Sequence, residues 1–221
     1  MPVSSKTQSH LRYPSTAPLG SAGNVRVLRA LASDRAPQSA PQSAPQLAAT
    51  AGLTPQGTRG VLEVLAPLWL VKAHGSERTQ LHELNAAHPL APSLAALFPD
   101  EQRRWDGLMG SICEVLESQG ANVSAAWLCG SVARGEDSPP TSDLDIALVV
   151  RSQAVADKVR EALLPLEDAQ HLRISLAALT AKELAALPDN DPWWVNVVRD
   201  GRVLKGAAPG GTRRRLTRVV A

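Results

Sequence analysis

The segment that most constrains the fold of this chain is residues 129–150, CGSVARGEDSPPTSDLDIALVV. An apolar run ends at Gly130 and Ser131, and a polar connection rich in Gly, Pro and Ser follows. A second apolar run follows, and Asp143 and Asp145 stand at its start. Runs of this kind bounded by turn residues are typical of buried strands. The sequence therefore predicts two strands, Val123–Cys129 and Leu144–Val150, with a tight turn after the first and two acids at the start of the second.

The spacing of Asp143 and Asp145 points to chemistry. Successive side chains on a strand project from opposite faces, so these two carboxylates are expected to share one face. Two charges that close repel by about 4 kcal/mol at an effective dielectric near 20. A divalent cation between them, or a proton on one of them, removes that repulsion. Ligation by oxygen alone favours Mg²⁺ or Mn²⁺ over zinc.

The Gly130-Ser131 pair supplies the elements of a phosphate site. Glycine after a strand lets the backbone approach a ligand closely, and a helix starting at Ser131 directs free N–H groups towards an anion. The alternative is that two surface aspartates lie beside an unrelated turn.

These residues resemble the DNA polymerase β-like nucleotidyltransferases, whose signature is GS followed by DxD. The matching stretches here are GSVARG from Gly130 and SDLDIALVV, which contains Asp143 and Asp145. The resemblance implies that Gly130 and Ser131 hold the nucleotide phosphates, with support from Arg134. It also implies that Asp143 and Asp145 are catalytic and hold Mg²⁺ or Mn²⁺. A nucleoside monophosphate would then pass from a nucleoside triphosphate to a hydroxyl acceptor.

The family pattern is incomplete in one respect. Such enzymes generally carry a third carboxylate on a neighbouring strand, expected here around residues 171–176. His171, Arg173 and Ser175 occupy the outward positions. Glu167 and Asp168 lie before that strand and would serve only if the register differed. Turnover is therefore less secure than binding of a metal nucleotide.

The first half of the chain predicts a different module. Asn24 is placed to cap a first helix, a second helix passes through residues 47–50, and Thr54 with Pro55 opens a third that runs to about Leu65. Strand-like runs at 68–72 and 78–84 follow, so three helices precede a β-hairpin. The stretch resembles the winged helix-turn-helix domain of ArsR- and MarR-like regulators.

That resemblance implies DNA binding. Gln56, Thr58 and Arg59 would lie near the major-groove end of the recognition helix, and Lys72, His74 and Arg78 would lie on the wing near phosphates. With one Arg and no Lys on the recognition helix, a winged helix used only for dimerisation or docking is the alternative.

The predicted fold class is α+β: a winged helix-turn-helix domain followed by a small α/β nucleotidyltransferase domain with a mixed sheet. The predicted domains are a flexible arm at 1–22, the winged-helix domain at 23–98, the nucleotidyltransferase domain at 99–206 and a basic tail at 207–221. Pro99 is expected to end a short helix, and Asp100 to cap a longer one. A helix is expected from about Gln153 to Leu164.

Composition bounds the partners. A net charge of +2 limits nucleic-acid contacts to local patches. Two cysteines predict no disulfide framework, which suits the cytoplasm, and no signal peptide or membrane span is expected. Trp193 and Trp194 are interpreted as core residues, with stacking on a base as the alternative.

Three hypotheses follow. The first is a nucleotidyltransferase with a DNA-binding domain. The second is a DNA-binding regulator whose nucleotidyltransferase domain is inactive and serves as a nucleotide sensor or a partner-binding surface. The third, from resemblance alone, is an antitoxin that modifies a partner toxin, or a drug-modifying enzyme.

Overall fold

The structure is a computed structural model that describes residues 14–32, 40–76, 80–135 and 143–220, with 215–220 described for the backbone only. Residue contacts divide the chain into two units, Met1–Arg104 and Trp105–Ala221. Both units combine helices with a sheet, so the predicted α+β class is confirmed. None of the helices in the described ranges has the length and apolar character needed to cross a membrane.

Three helices build most of the first unit: α1 (Ala22–Ala32), α2 (Ala44–Ala51) and α3 (Pro55–Leu65). The third begins as predicted, because the Thr54 hydroxyl accepts a hydrogen bond from the Gly57 N–H at 3.0 Å. The expectation that Asn24 caps α1 is wrong. Ser21 Oγ accepts the Asn24 N–H at 3.1 Å, and the Asn24 amide instead donates to the Ala17 carbonyl.

A three-stranded antiparallel sheet accompanies these helices. Its strands are β1 (Gln42–Ser43), β2 (Val71–His74) and β3 (Leu81–Leu84), in the order β1-β3-β2. A 3₁₀ turn at Ala66–Leu68 separates α3 from β2. The predicted hairpin is therefore present with shorter strands, and a further short strand pairs with its second arm. Apolar side chains of the three helices form the core, among them Val27, Leu28, Leu47, Leu62 and Leu65.

The fourth helix corrects the sequence prediction at Pro99. Helix α4 runs without interruption over Ala91–Ser118 with Pro99 inside it. Proline in a helix interior removes a hydrogen bond and strains the preceding turn. Leu94 and Phe98 are buried before it, and Leu108 and Ile112 after it, so packing holds the helix on both sides of the proline. Asp100 does not cap a new helix but pairs with Arg103 one turn later.

The second unit is built on a four-stranded mixed sheet in the order β6-β5-β4-β7. Strands β4 (Val123–Cys129) and β5 (Leu144–Val150) occupy the bounds that the sequence predicts and pair antiparallel. Strand β6 (Ile174–Thr180) runs parallel to β5, and β7 (Arg202–Lys205) runs antiparallel to β4. Both central strands are almost entirely buried, because helices cover the two faces of the sheet.

Five further helices surround this sheet: α5 (Gly130–Arg134), α6 (Gln153–Gln170), α7 (Ala181–Ala186), α8 (Pro192–Asp200) and α9 (Pro209–Val220). Helix α6 continues through Pro165 beyond its predicted end near Leu164, and β6 correspondingly starts later than expected. The segment expected to be a tail forms α9, which contacts α7 and α8. Arg213 holds it there by donating to the Leu187 carbonyl and pairing with Asp189 at 3.2 Å.

The tryptophans at the start of α8 belong mainly to the core. Trp194 is 3% exposed and meets the Trp127 ring edge-on, with centroids 5.8 Å apart. The Trp127 indole N–H donates to the Ala207 carbonyl at 2.8 Å. The interpretation of Trp194 as a core residue is confirmed, while Trp193 is only partly buried.

Candidate functional site

Strand pairing brings the two halves of the predicted motif together. In the antiparallel register of β4 and β5, Cys129 lies opposite Asp145. The residue after Cys129 is Gly130, so the turn into α5 begins beside the Asp145 side chain. The predicted phosphate turn and the predicted metal ligands thus occupy one edge of the sheet.

Gly130 fits this place because it lacks a side chain. Its φ is +75°, a left-handed conformation that favours glycine. A Cβ added there would overlap Asp145 Oδ2 and lie 3.0 Å from Asp145 Cγ. The Asp145 carboxyl group therefore packs directly against the Gly130 backbone, and no other residue fits without displacing it.

The electrostatic surroundings of Asp145 favour its neutral form. Partial burial raises the pKa of this carboxyl, and the nearby charge of Asp143 raises it further. Arg134 acts in the opposite direction with a smaller effect. In the part of the chain that is described, neither aspartate side chain accepts a hydrogen bond or forms an ion pair within 4 Å. Among the described residues the two carboxylates therefore lack a directly bonded partner, and Arg134 offsets their charge only in part.

This donor set fits a metal that is bound together with phosphates. No cluster of three or more His, Cys, Asp or Glu side chains that could hold a metal occurs among the described residues. Magnesium, however, is commonly held by one or two carboxylates, with water and substrate phosphates completing its coordination. Asp143 and Asp145 are sufficient for such a shared site and insufficient for a metal held by protein alone.

Arg134 has a partner that the sequence did not reveal. At the last position of α5, its guanidinium lies 3.5 Å from an Asp200 carboxylate oxygen at the end of α8. Arg199 pairs with the same carboxylate at 2.8 Å and lowers the pKa of Asp200 by hydrogen bonding. Helix α8 therefore positions the cation that the sequence assigns to phosphate. Asp200 lies far from the motif along the chain, and only its place at the end of a predicted helix could have drawn attention to it.

The position of the expected third carboxylate is occupied by serine. In the parallel register of β5 and β6, Asp145 lies beside Ser175, so their side chains share a face. The main chain of Arg173 accepts the Leu144 N–H at 2.8 Å, which fixes this register at the edge of the sheet. Glu167 does not substitute, because its carboxylate accepts the Ile174 backbone N–H.

Cys129 supports the site without offering reactivity. Burial, followed by the charge of Asp145, raises the pKa of this thiol to about 11. The thiol therefore stays protonated at neutral pH, and Sγ lies 3.5 Å from the Asp145 carbonyl oxygen as a donor. Cys129 is a buried free cysteine.

The residues predicted to contact DNA fall into three groups. Gln56, Arg59, Lys72 and His74 are exposed on α3 and β2. Thr58 is fully buried against the core, and its hydroxyl has no hydrogen-bond partner in the part of the chain that is described, so it is not available to a groove. Arg78 lies outside the described residues.

Comparisons with known proteins do not identify a family for this chain. No protein-family model and no curated protein matches the sequence. A toxin–antitoxin crystal structure with AMP-PNP is similar at 19% identity and a TM-score of 0.37, covering 51% of this chain and 86% of the other. Two variants of the toxin–antitoxin MntA-HpeT are similar at 17% and 19% identity, with TM-scores of 0.37 and 0.35. They cover 51% and 50% of this chain and 86% and 84% of theirs. Similarities at these TM-scores carry no argument about activity.

Proposed function

We propose that the second unit binds a nucleoside triphosphate with Mg²⁺ or Mn²⁺ and transfers its nucleoside monophosphate to a hydroxyl acceptor. The observation that carries the proposal is the packing of the Asp145 carboxyl against Gly130, beside Asp143 and without a directly bonded partner among the described residues. The metal ion would supply the positive charge that such a pair lacks. The phosphates would be the anion that a turn without a side chain can approach closely.

Each residue has a role in this proposal. Asp143 and Asp145 would hold the metal, which neutralises charge developing on the transferred phosphate. Gly130 and Ser131 would contact the phosphates through the turn that begins α5. Arg134 would contribute a phosphate contact, since its guanidinium stays protonated and its orientation is set by Asp200.

The test is nucleotide binding followed by transfer. The full chain is titrated with each nucleoside triphosphate in the presence of Mg²⁺ or Mn²⁺, and then incubated with α-labelled nucleotide and cell extract. We expect metal-dependent binding and label on a protein, RNA or small molecule. Asp145→Asn should abolish both, whereas Asp157→Asn, a matched loss of an exposed carboxylate on α6, should change neither. Equal labelling by wild type and Asp145→Asn would disprove the proposal.

A second candidate function is a nucleotide sensor that does not turn over. Ser175 beside Asp145 favours it, because the position expected to help activate the attacking hydroxyl carries no acid. General-base assistance contributes roughly 10²–10⁴-fold to such reactions. If the missing acid is the reason for inactivity, Ser175→Asp should bind nucleotide like wild type and gain labelling activity. Efficient transfer by wild type, unchanged or reduced by Ser175→Asp, would reject the sensor.

For the first unit we propose DNA binding. Support comes from three helices followed by a hairpin, with Gln56 and Arg59 exposed on the third helix and Lys72 on the hairpin. Binding to a pool of random duplexes at low salt, followed by sequencing of the retained fraction, tests this. Enrichment of one sequence would support a regulator. Retention no better than that of Arg59→Gln with Lys72→Gln would favour the alternative of dimerisation or docking.

A further inference from the structure

A cavity in the first unit takes no part in the proposed nucleotide site, and among the described residues Arg59 is the one that it shares with the proposed DNA contacts. It has a volume of about 670 Å³ and lies between the start of α2, one face of α3 and the hairpin. Apolar groups form much of its wall: Pro45, Leu62, Ala66, Ala73 and Leu81. Cavities of about 300–1,000 Å³ with a largely apolar lining are typical of small-molecule sites.

Two opposite charges stand at this cavity on a single helix. Arg59 and Glu63 both line it and lie four residues apart on α3, so they project from the same side. Both side chains are exposed, and neither forms an ion pair or a side-chain hydrogen bond within the described ranges. Their Cβ atoms should be about 5–6 Å apart, as is usual for this spacing on a helix. The cavity thus offers one cationic and one anionic group on the same side of one helix.

His82 also lines the cavity, but it does not contribute a binding group. Its side chain is 7% exposed, and its Nδ1 is buried with no hydrogen-bond partner among the described residues, so a ligand in the cavity cannot contact that nitrogen.

We propose that this cavity binds a short zwitterionic peptide with apolar side chains, with two residues as the best match. The carboxylate of such a peptide would pair with Arg59 and its ammonium with Glu63. An extended chain spans at most about 3.3–3.6 Å per residue, so the charges of a dipeptide lie about 7 Å apart or less, within reach of the exposed ends of Arg59 and Glu63. The apolar side chains would pack on Leu62 and Leu81. The inference is independent of the nucleotide site in the second unit.

The experiment is a calorimetric titration of the full chain with leucyl-leucine and three analogues. N-acetyl-leucyl-leucine lacks the ammonium, leucyl-leucine amide lacks the carboxylate, and free leucine has the two charges too close together. We expect saturable binding of leucyl-leucine and roughly three- to tenfold weaker binding of each analogue, since exposed charge pairs contribute modestly.

Variants show which residue binds which end of the peptide. Arg59→Gln should remove the difference between leucyl-leucine and its amide, and Glu63→Gln should remove the difference between leucyl-leucine and its acetylated form. Lys72→Gln, which removes an equal charge from the hairpin outside the cavity, should preserve both differences. The inference is overturned if leucyl-leucine does not bind at millimolar concentration, if the analogues bind equally well, or if either cavity variant retains both differences.

Discussion

At the scale of single residues, Asp145 shows how a binding site can oppose stability. Burial and then the charge of Asp143 raise the pKa of its carboxyl, so the folded protein binds a proton there more readily than the unfolded chain does. In such a case stability is complete below the ordinary pKa of an aspartate and is lost as pH rises through the folded value. At neutral pH the ionised carboxylate therefore reduces the free energy of unfolding.

Asp145→Asn should accordingly stabilise the metal-free protein while it abolishes metal–nucleotide binding. We expect a higher melting temperature than that of wild type at pH 7, because the variant carries no ionised carboxylate at this position. The difference should disappear in melts below about pH 4, where the wild-type carboxyl is also neutral. A lower melting temperature for Asp145→Asn at pH 7 would show that the ionised carboxylate supports the fold.

Asp200 has the opposite effect on stability to that of Asp145. Hydrogen bonding from Arg199 lowers the pKa of Asp200, burial opposes this, and the charges of Arg199 and Arg134 lower it further. Its contribution to stability is therefore present above the ordinary pKa of an aspartate and is lost as pH falls through the lower, folded value.

For Asp200→Asn we expect a lower melting temperature than wild type at pH 7, by a few degrees at most, and convergence of the two proteins in strong acid. Circular dichroism melts at pH 7 and at pH 2–3 measure this. Nucleotide affinity should change as well, because Arg134 loses the carboxylate that orients it. A variant that melts like wild type at every pH would show that the ion pair contributes nothing.

At the scale of elements, Lys205 joins the closing strand of the second unit to the end of α4. Its ammonium donates to the Leu116 carbonyl at 2.8 Å and to the Gly120 carbonyl at 3.0 Å, and lies 3.2 Å from Glu117. The last carbonyls of a helix lack intrahelical donors, and a cation there also interacts favourably with the helix dipole. One side chain on β7 thus completes the end of a 28-residue helix.

Replacing this side chain should have a measurable cost. We expect Lys205→Met to lower the free energy of unfolding by about 1–3 kcal/mol, because it removes hydrogen bonds from a charged donor and leaves carbonyls unpaired. Chemical denaturation measures the change. Lys158→Met, on an exposed position of α6, is the matched control and should shift stability by less than about 0.5 kcal/mol. Equal effects of the two variants would contradict the capping role.

The elements also show where local sequence rules succeed and fail. Strands β4 and β5 are predictable to the residue, because their apolar runs are continuous and turn residues bound them. The rule that proline ends a helix fails at Pro99 and Pro165, since packing of residues on both sides outweighs the local cost. In the same way, Asn24 is of a residue type that often caps helices. The side chain that accepts a backbone N–H at the start of α1 is instead that of Ser21, three residues earlier.

At the scale of the whole molecule, the charge distribution limits how the chain can bind nucleic acid. The net charge is +2, and the proposed DNA-contacting residues that are described and exposed include two fixed cations, Arg59 and Lys72. Each neutralised phosphate contributes about −0.9 to the slope of log affinity against log salt. Few phosphate contacts therefore mean weak and only mildly salt-dependent binding.

We expect a slope of about −2 for the full chain on duplex DNA, and a slope smaller in magnitude by about 1 for Lys72→Gln, with affinity reduced similarly on all sequences. Fluorescence anisotropy across a salt series measures both values. A much steeper slope that Lys72→Gln leaves unchanged would place the DNA contacts on another surface.

The residues that make up the candidate site could be predicted from the sequence, but only some of the residues around them could. The motif residues could be identified because they are close in sequence and because the chemistry of each residue type suits its role. They are Gly130, Ser131, Asp143 and Asp145. The Asp200 partner of Arg134 and the cavity beside His82 could not, since both are assembled from elements that are distant in the chain. The absence of an acid at Ser175 was foreseeable, because the strand register was constrained by an alternating pattern.

The contact between Gly130 and Asp145 also constrains the order in which mutations can accumulate. A methyl group at position 130 collides with the Asp145 carboxyl, so Gly130→Ala alone must displace that carboxyl as well as strain the backbone. Once Asp145→Ala has removed the carboxyl, only the backbone strain remains, and the two changes together should destabilise less than the sum of each alone. A lineage that loses the acid is then less constrained to keep the glycine, and a lineage that has lost both cannot easily regain the acid. Loss of the glycine is therefore expected to follow loss of the carboxylate rather than to precede it.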